Sequence, residues 1–190
     1  MYPGNFTAQM EMVLGPSYRQ YPDVGIVDSL NPRLDGWLCT DTHEHYRPMR
    51  FLFTYLGEDE SGINYRITAA VGWEYAGAML RESMNGWIGM QGFAIGRLVD
   101  YVATARPFGS DPIWRIKKLT DWDGDFNTLN TVEFQLLNSD GHAMSVRAYT
   151  HSAKFRKGTP GRSHSFIYFY AEDEDRYEPA RFRLVHSKRA

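Results

Sequence analysis

The stretch Ile63-Asn64-Tyr65-Arg66-Ile67-Thr68-Ala69-Ala70-Val71-Gly72-Trp73-Glu74-Tyr75 decides the fold. Ile63, Tyr65, Ile67, Ala69, Val71, Trp73 and Tyr75 alternate with Asn64, Arg66, Thr68, Ala70, Gly72 and Glu74. Successive side chains of a β-strand point to opposite faces, so this period of two predicts a long, half-buried strand. Just upstream, Met49, Phe51, Phe53 and Tyr55 alternate in the same way. The intervening GEDESG has the composition of a hairpin loop.

Downstream, residues 113–119, 131–137, 143–150, 165–170 and 180–185 read as further strands. The tetrad Asn138-Ser139-Asp140-Gly141 marks a hairpin turn, because Asp-Gly accepts positive φ. Residues 76–105 are less regular. A short helix is expected near Ala78–Met84. Glycines 86, 89, 92 and 96 would each cost a continuous helix about 1 kcal/mol relative to alanine, so kinked strands are expected to follow, over 87–95 and 96–103. Residues 1–35 hold Pro3, Pro16, Pro22 and Pro32. Proline removes a ladder donor, so this stretch is expected to be an N-terminal arm or lid, with no central strand, over a barrel domain at 36–190. The expected fold is mostly β: an antiparallel up-and-down β-barrel of about eight strands with one short helix. A sandwich is the alternative. Closure removes exposed edges, and a barrel of eight strands can hold one small ligand.

Composition narrows the functional classes. The chain has 190 residues, 43% hydrophobic and 23% charged, which suits one globular domain. Aromatic residues reach 15%, a share that favours pleated sheets and also lines ligand pockets. A net charge of −2 argues against a sequence-independent nucleic-acid binder. The single Cys39 excludes an internal disulfide and a CxxC site, and reads best as a quiet buried thiol. No apolar run approaches the roughly 20 residues of a membrane span. The opening residues lack a basic and then apolar leader, so the chain is expected to be cytoplasmic.

Several groups could carry chemistry. His43 and His45 sit at i and i+2, where two imidazoles on one strand could share a metal. This run resembles the first cupin motif, with Gly57 at a suitable distance and His164 as a third ligand. Arg50 stands where cupins place a carboxylate, which would repel a cation. The alternatives are a solvated histidine pair, or His43 or His45 as a proton shuttle at the barrel mouth. The loop Asp121-Trp122-Asp123-Gly124-Asp125 superficially resembles a calcium loop, but its glycine is misplaced, and a polar turn fits better. On the decisive strand, Arg66 and Glu74 share a face with small residues. If that face lined a cavity, they would be polar handles with perturbed pKa values; if it faced solvent, they would be surface charges. Asp100 on a later strand invites the same two readings, and Tyr65 is a further candidate. Trp73, Tyr75, Trp87, Phe93, Tyr101 and Trp114 are the candidate aromatic lining, able to stabilise a developing cation. No nucleotide-binding glycine loop and no G-x-S-x-G elbow is present, and no cofactor is implied.

Two segments carry a family resemblance: GWIGMQGFAIGRLVD at 86–100 and VEFQLLNSDGHAMSVRAY at 132–149. Residues 87–170 thereby resemble lipocalin-like (calycin) barrels of the carotenoid-hydratase-like and cofactor-free cyclase type. The resemblance implies an apolar ligand cavity and acid/base chemistry of hydration, cyclisation or isomerisation. The expected function is a cofactor-independent enzyme acting on a hydrophobic small molecule in secondary metabolism. Glu74, Arg66, His45, Asp100 and Tyr65 are its candidate catalytic residues. A non-catalytic carrier of an apolar ligand is the first alternative, and a cupin-like metal enzyme using His43, His45 and His164 the second. A barrel with an aromatic mouth could also form a homodimer.

Overall fold

The computed structural model describes residues 4–14, 22–28, 35–42, 45–60, 62–70, 75, 77–83, 85–91, 112–152, 163–171 and 177–190. Thirteen strands run through them in one sheet: β1 (Phe6–Val13), β2 (Asp23–Val27), β3 (Leu38–Thr40), β4 (Tyr46–Pro48), β5 (Phe51–Asp59), β6 (Gly62–Ala69), β7 (Met79–Glu82), β8 (Ile88–Gln91), β9 (Trp114–Lys118), β10 (Phe134–Leu137), β11 (Ser145–Ser152), β12 (Ser163–Tyr170) and β13 (Arg181–Arg189). A six-residue 3-10 turn, Phe126–Thr131, accompanies them. No helix among the described residues is long and apolar enough to cross a membrane.

Six strands close a ring, each antiparallel to its neighbour: β1 to β13, β13 to β10, β10 to β9, β9 to β6, β6 to β5, and β5 back to β1. The ring follows from the alternation in each strand. Phe6, Phe53, Tyr65, Trp114, Phe134 and Phe182 are buried and share one core. Phe6 stacks on Phe53 at 4.7 Å between centroids, and Tyr65 meets both edge-on at 5.6 and 5.8 Å. Interiors of roughly eight-strand barrels are already just filled by side chains, and six strands leave less room.

The remaining strands extend this barrel. Sheet order runs β11-β12-β3-β2-β1 on one side and β6-β7-β8 on the other, with β4 beside β2. The two ends meet: Trp37 bridges Gly89 and Trp87 bridges Tyr170. The Met90 N–H donates to the Gly36 carbonyl at 2.9 Å. Gly89 permits this approach, because a Cβ there would lie 3.0 Å from both the Gly36 carbonyl oxygen and the Trp37 ring.

Three expectations are corrected. There are thirteen strands among the described residues, not about eight; the six of the ring, β1-β5-β6-β9-β10-β13, follow chain order and close up-and-down, as expected. The expected helix near Ala78–Met84 is strand β7, since Thr68 and Gln91 offer partners on both sides of Met79. Residues 1–35 supply β1, paired to β13, β2 and β5. The prolines do not prevent this, because none lies inside Phe6–Val13 or Asp23–Val27. The decisive stretch is β6 through Ala69; residues 71–74 lie outside the described set.

The turn expected at 138–141 forms around Gly141 at φ 90°. Asn138 organises it: its side-chain oxygen accepts from the Asp140 and His142 N–H groups at 3.1 and 2.8 Å, and its amide donates to Glu82 at 2.6 Å.

Candidate functional site

Strands β2 and β3 have two apolar faces. Val24, Ile26 and Leu38 point into the main core. Their neighbours Val27 and Cys39 point the other way and form a second cluster with Tyr168 of β12. Partly buried Trp37, Tyr46 and Trp87 pack around it. Register explains the grouping. Gly25 pairs with Cys39, Cys39 with Tyr168, and Val27 with Tyr46, and directly paired residues share a face. The Trp87 ring lies edge-on to Tyr168 at 5.5 Å and to Tyr170 at 5.7 Å, and 6.3 Å from Trp37.

Two carboxylates stand beside this face. Asp23 shares it with Gly25 and Val27 by alternation, and Asp41, in the turn after β3, lies close enough to act on Cys39 and Tyr46. The Asp41 N–H donates to the Asp23 carbonyl at 3.1 Å, so the two residues are neighbours across strands. Burial, with help from Glu11 and Asp41, pushes the Asp23 carboxyl above its ordinary 3.8, while His186 pulls the other way. Burial and the Asp41 charge push the Cys39 thiol up to about 12. It is therefore protonated at neutral pH and unsuited to nucleophilic work. Burial, then Asp23, Asp41 and Cys39, drives the Tyr46 hydroxyl above the usual phenol range. That hydroxyl is buried and has no hydrogen-bond partner among the described residues. An orphaned buried hydroxyl costs about 1–3 kcal/mol.

Of the residues singled out in the sequence, the described ones are dispersed. Tyr65 is fully buried in the barrel, whereas Arg66, next along β6, is on the opposite face and half-buried. Adjacent strand residues cannot serve one reacting atom from opposite faces. His45 is exposed in the turn before β4, its carbonyl accepting from the Asp28 N–H at 2.8 Å. Trp114 sits in the core, its indole N–H donating to the Leu80 carbonyl at 2.8 Å. Tyr75 is buried against the same core, its hydroxyl 3.3 Å from Asp35. Trp87 belongs to the second cluster. His164 lies on β12 opposite His151. His43, Trp73, Glu74, Phe93, Asp100 and Tyr101 lie outside the described residues. Among the described residues no group of three His, Cys, Asp or Glu side chains could hold a metal.

The acidic loop at 121–125 caps its own backbone. Asp123 accepts from the Asp125 N–H at 2.9 Å and the Thr128 hydroxyl at 3.0 Å, bonds that hold its carboxyl below the ordinary range. Asp125 caps the 3-10 turn through the Asn127 N–H at 3.0 Å. Beside this loop runs an open, largely polar groove of about 850 Å³ lined by Lys118, Trp122 and Thr131.

Sequence reasoning missed Trp37, Tyr46, Tyr168, Asp23 and Asp41. The signal was present in the alternations Asp23-x-Gly25-x-Val27 and Trp37-x-Cys39-x-Asp41. It was masked by reading the first as part of an arm.

These features define a mostly-β protein with a closed, filled six-strand barrel and an aromatic second face. No protein-family model matches the chain, and neither a curated protein nor a solved structure matches it.

Proposed function

We propose that this protein binds a flat, hydrophobic small molecule on the face made by β2, β3, β4 and β12, as a carrier. The observation that carries this reading is the second aromatic cluster, in which Trp37, Tyr46 and Trp87 stay only partly buried over Val27, Cys39 and Tyr168. Rigid aromatic side chains supply large contact area at low entropic cost. The inward positions of the six-strand barrel carry packed rings, so a guest is better accommodated on the second face.

Titration with the neutral dye Nile red tests the reading. Binding should blue-shift its emission, and Trp37→Ala and Trp87→Ala should each weaken it about tenfold with the far-UV circular dichroism unchanged. Binding indifferent to both substitutions overturns the site. Conversion of a metabolite extract by the wild-type chain, followed by mass spectrometry, would replace the carrier with an enzyme.

A further inference from the structure

We infer that the ligand of this face is an organic cation, a flat apolar body bearing a protonated nitrogen. The inference rests on the binding reading above and adds its charge. Three observations converge on it. Aromatic rings and carboxylates come together: Trp37, Tyr46 and Tyr168 lie on the face that also carries Asp23, with Asp41 beside it. Ring faces attract cations, most strongly those of tryptophan.

The two carboxylates are also uncommitted. Glu11 beside them is held by Arg183 through two nitrogens, at 2.6 and 2.5 Å. Neither Asp23 nor Asp41 forms an ion pair among the described residues. Among the described residues His186 is the one positive influence on Asp23, opposed there by Glu11 and Asp41, and together these groups leave this end of the face negative. A neutral guest would leave that charge unused, and an anion would be repelled.

The third observation is the Tyr46 ring, which crosses Gly25 on the same face with Asp23 and Asp41 close enough to act on its phenol. A cation seated on the ring faces thus lies within reach of both acids.

The test uses two probes of the same three-ring shape. One is 9-aminoacridine, cationic with N–H groups at neutral pH; the other is neutral 9-anthracenemethanol. The full-length chain should bind the cation at least about tenfold more tightly, and added salt should narrow the difference. Asp23→Asn and Asp41→Asn should each weaken the cation by roughly three- to tenfold and leave the neutral probe unchanged. Circular dichroism on each variant reports folding, and the neutral probe serves as an internal control of the surface. Equal affinity for the two probes, or carboxamide variants that affect both alike, overturns the charge assignment while leaving the binding face standing. Failure of both probes to bind removes both proposals.

Discussion

The ring of Tyr46 crosses directly over Gly25. A Cβ at position 25 would meet the Arg47 carbonyl oxygen and the edge of the Tyr46 ring, with ring Cζ at 2.9 Å. The glycine is thus what lets β4 lie against β2 and bring the phenol over the second face. Gly25→Ala should push β4 away and destabilise the fold by about 1–3 kcal/mol, the usual scale of overpacking. It should also abolish Nile red binding. Urea midpoints and the dye titration check this; an unchanged midpoint with intact binding would refute the role given to Gly25.

The barrel centre offers a contrast. Phe53 is fully buried and stacked on Phe6, so Phe53→Ala removes a ring from a packed interior. A loss of about 3–5 kcal/mol is expected by chemical denaturation. Leu56, 42% exposed on the same strand, should tolerate serine within about 0.5 kcal/mol. Similar losses for the two would contradict a filled six-strand ring.

Cys39 is fully buried, with its thiol pushed up to about 12. At pH 8 the native chain should react with Ellman's reagent far more slowly than the same chain in urea, because the thiolate is the nucleophile. The folded value lies above the ordinary 9.0. This group's stabilising contribution is therefore complete below about pH 9 and is lost as pH climbs toward 12. Rapid labelling of folded protein at pH 8 would rule out this burial.

Asp23 produces the second pH effect. Its carboxyl faces Glu11 from β1, Asp41 beyond β3, His186 from β13 and the Tyr46 hydroxyl from β4. Burial is the largest cause of its raised value. The folded state holds this proton more tightly than the unfolded chain, which titrates near 3.8. The resulting stability is full below about that pH and fades as pH rises through the folded value. The stability of the wild type relative to Asp23→Asn should therefore fall between pH 3 and pH 7, as read from urea midpoints. A difference that stays flat or grows with pH would contradict the burial of this carboxyl.

Much of the strand content was legible. Tyr65 and Phe53 announce buried positions by alternation alone, and Gly141 announces its turn, because both signals are local. The edges were harder. Thr68 pairs with Met79, but residues 76–105 carry no clear period of two, so β7 reads as a helix. The candidate catalytic set assumed that one face of β6 lines a cavity. Alternation separates Tyr65, inside the barrel, from Arg66, but does not say which side holds a cavity.

By itself the sequence determined several of the strands, where several turns fall and which alternate positions are apolar. Side-chain alternation and turn chemistry act over a few residues, so they survive without knowledge of partners. Only the tertiary structure decided that β1 meets β13, that six strands close a filled ring, and that Asp23, Cys39, Tyr46 and Tyr168 share one outer face. Some of those pairings join residues more than a hundred positions apart, as Met10 with Leu184 and Cys39 with Tyr168, and backbone ladders are identical for almost every amino acid. Register is chosen by how whole faces pack together, a property of the assembled sheet and of no single stretch within it.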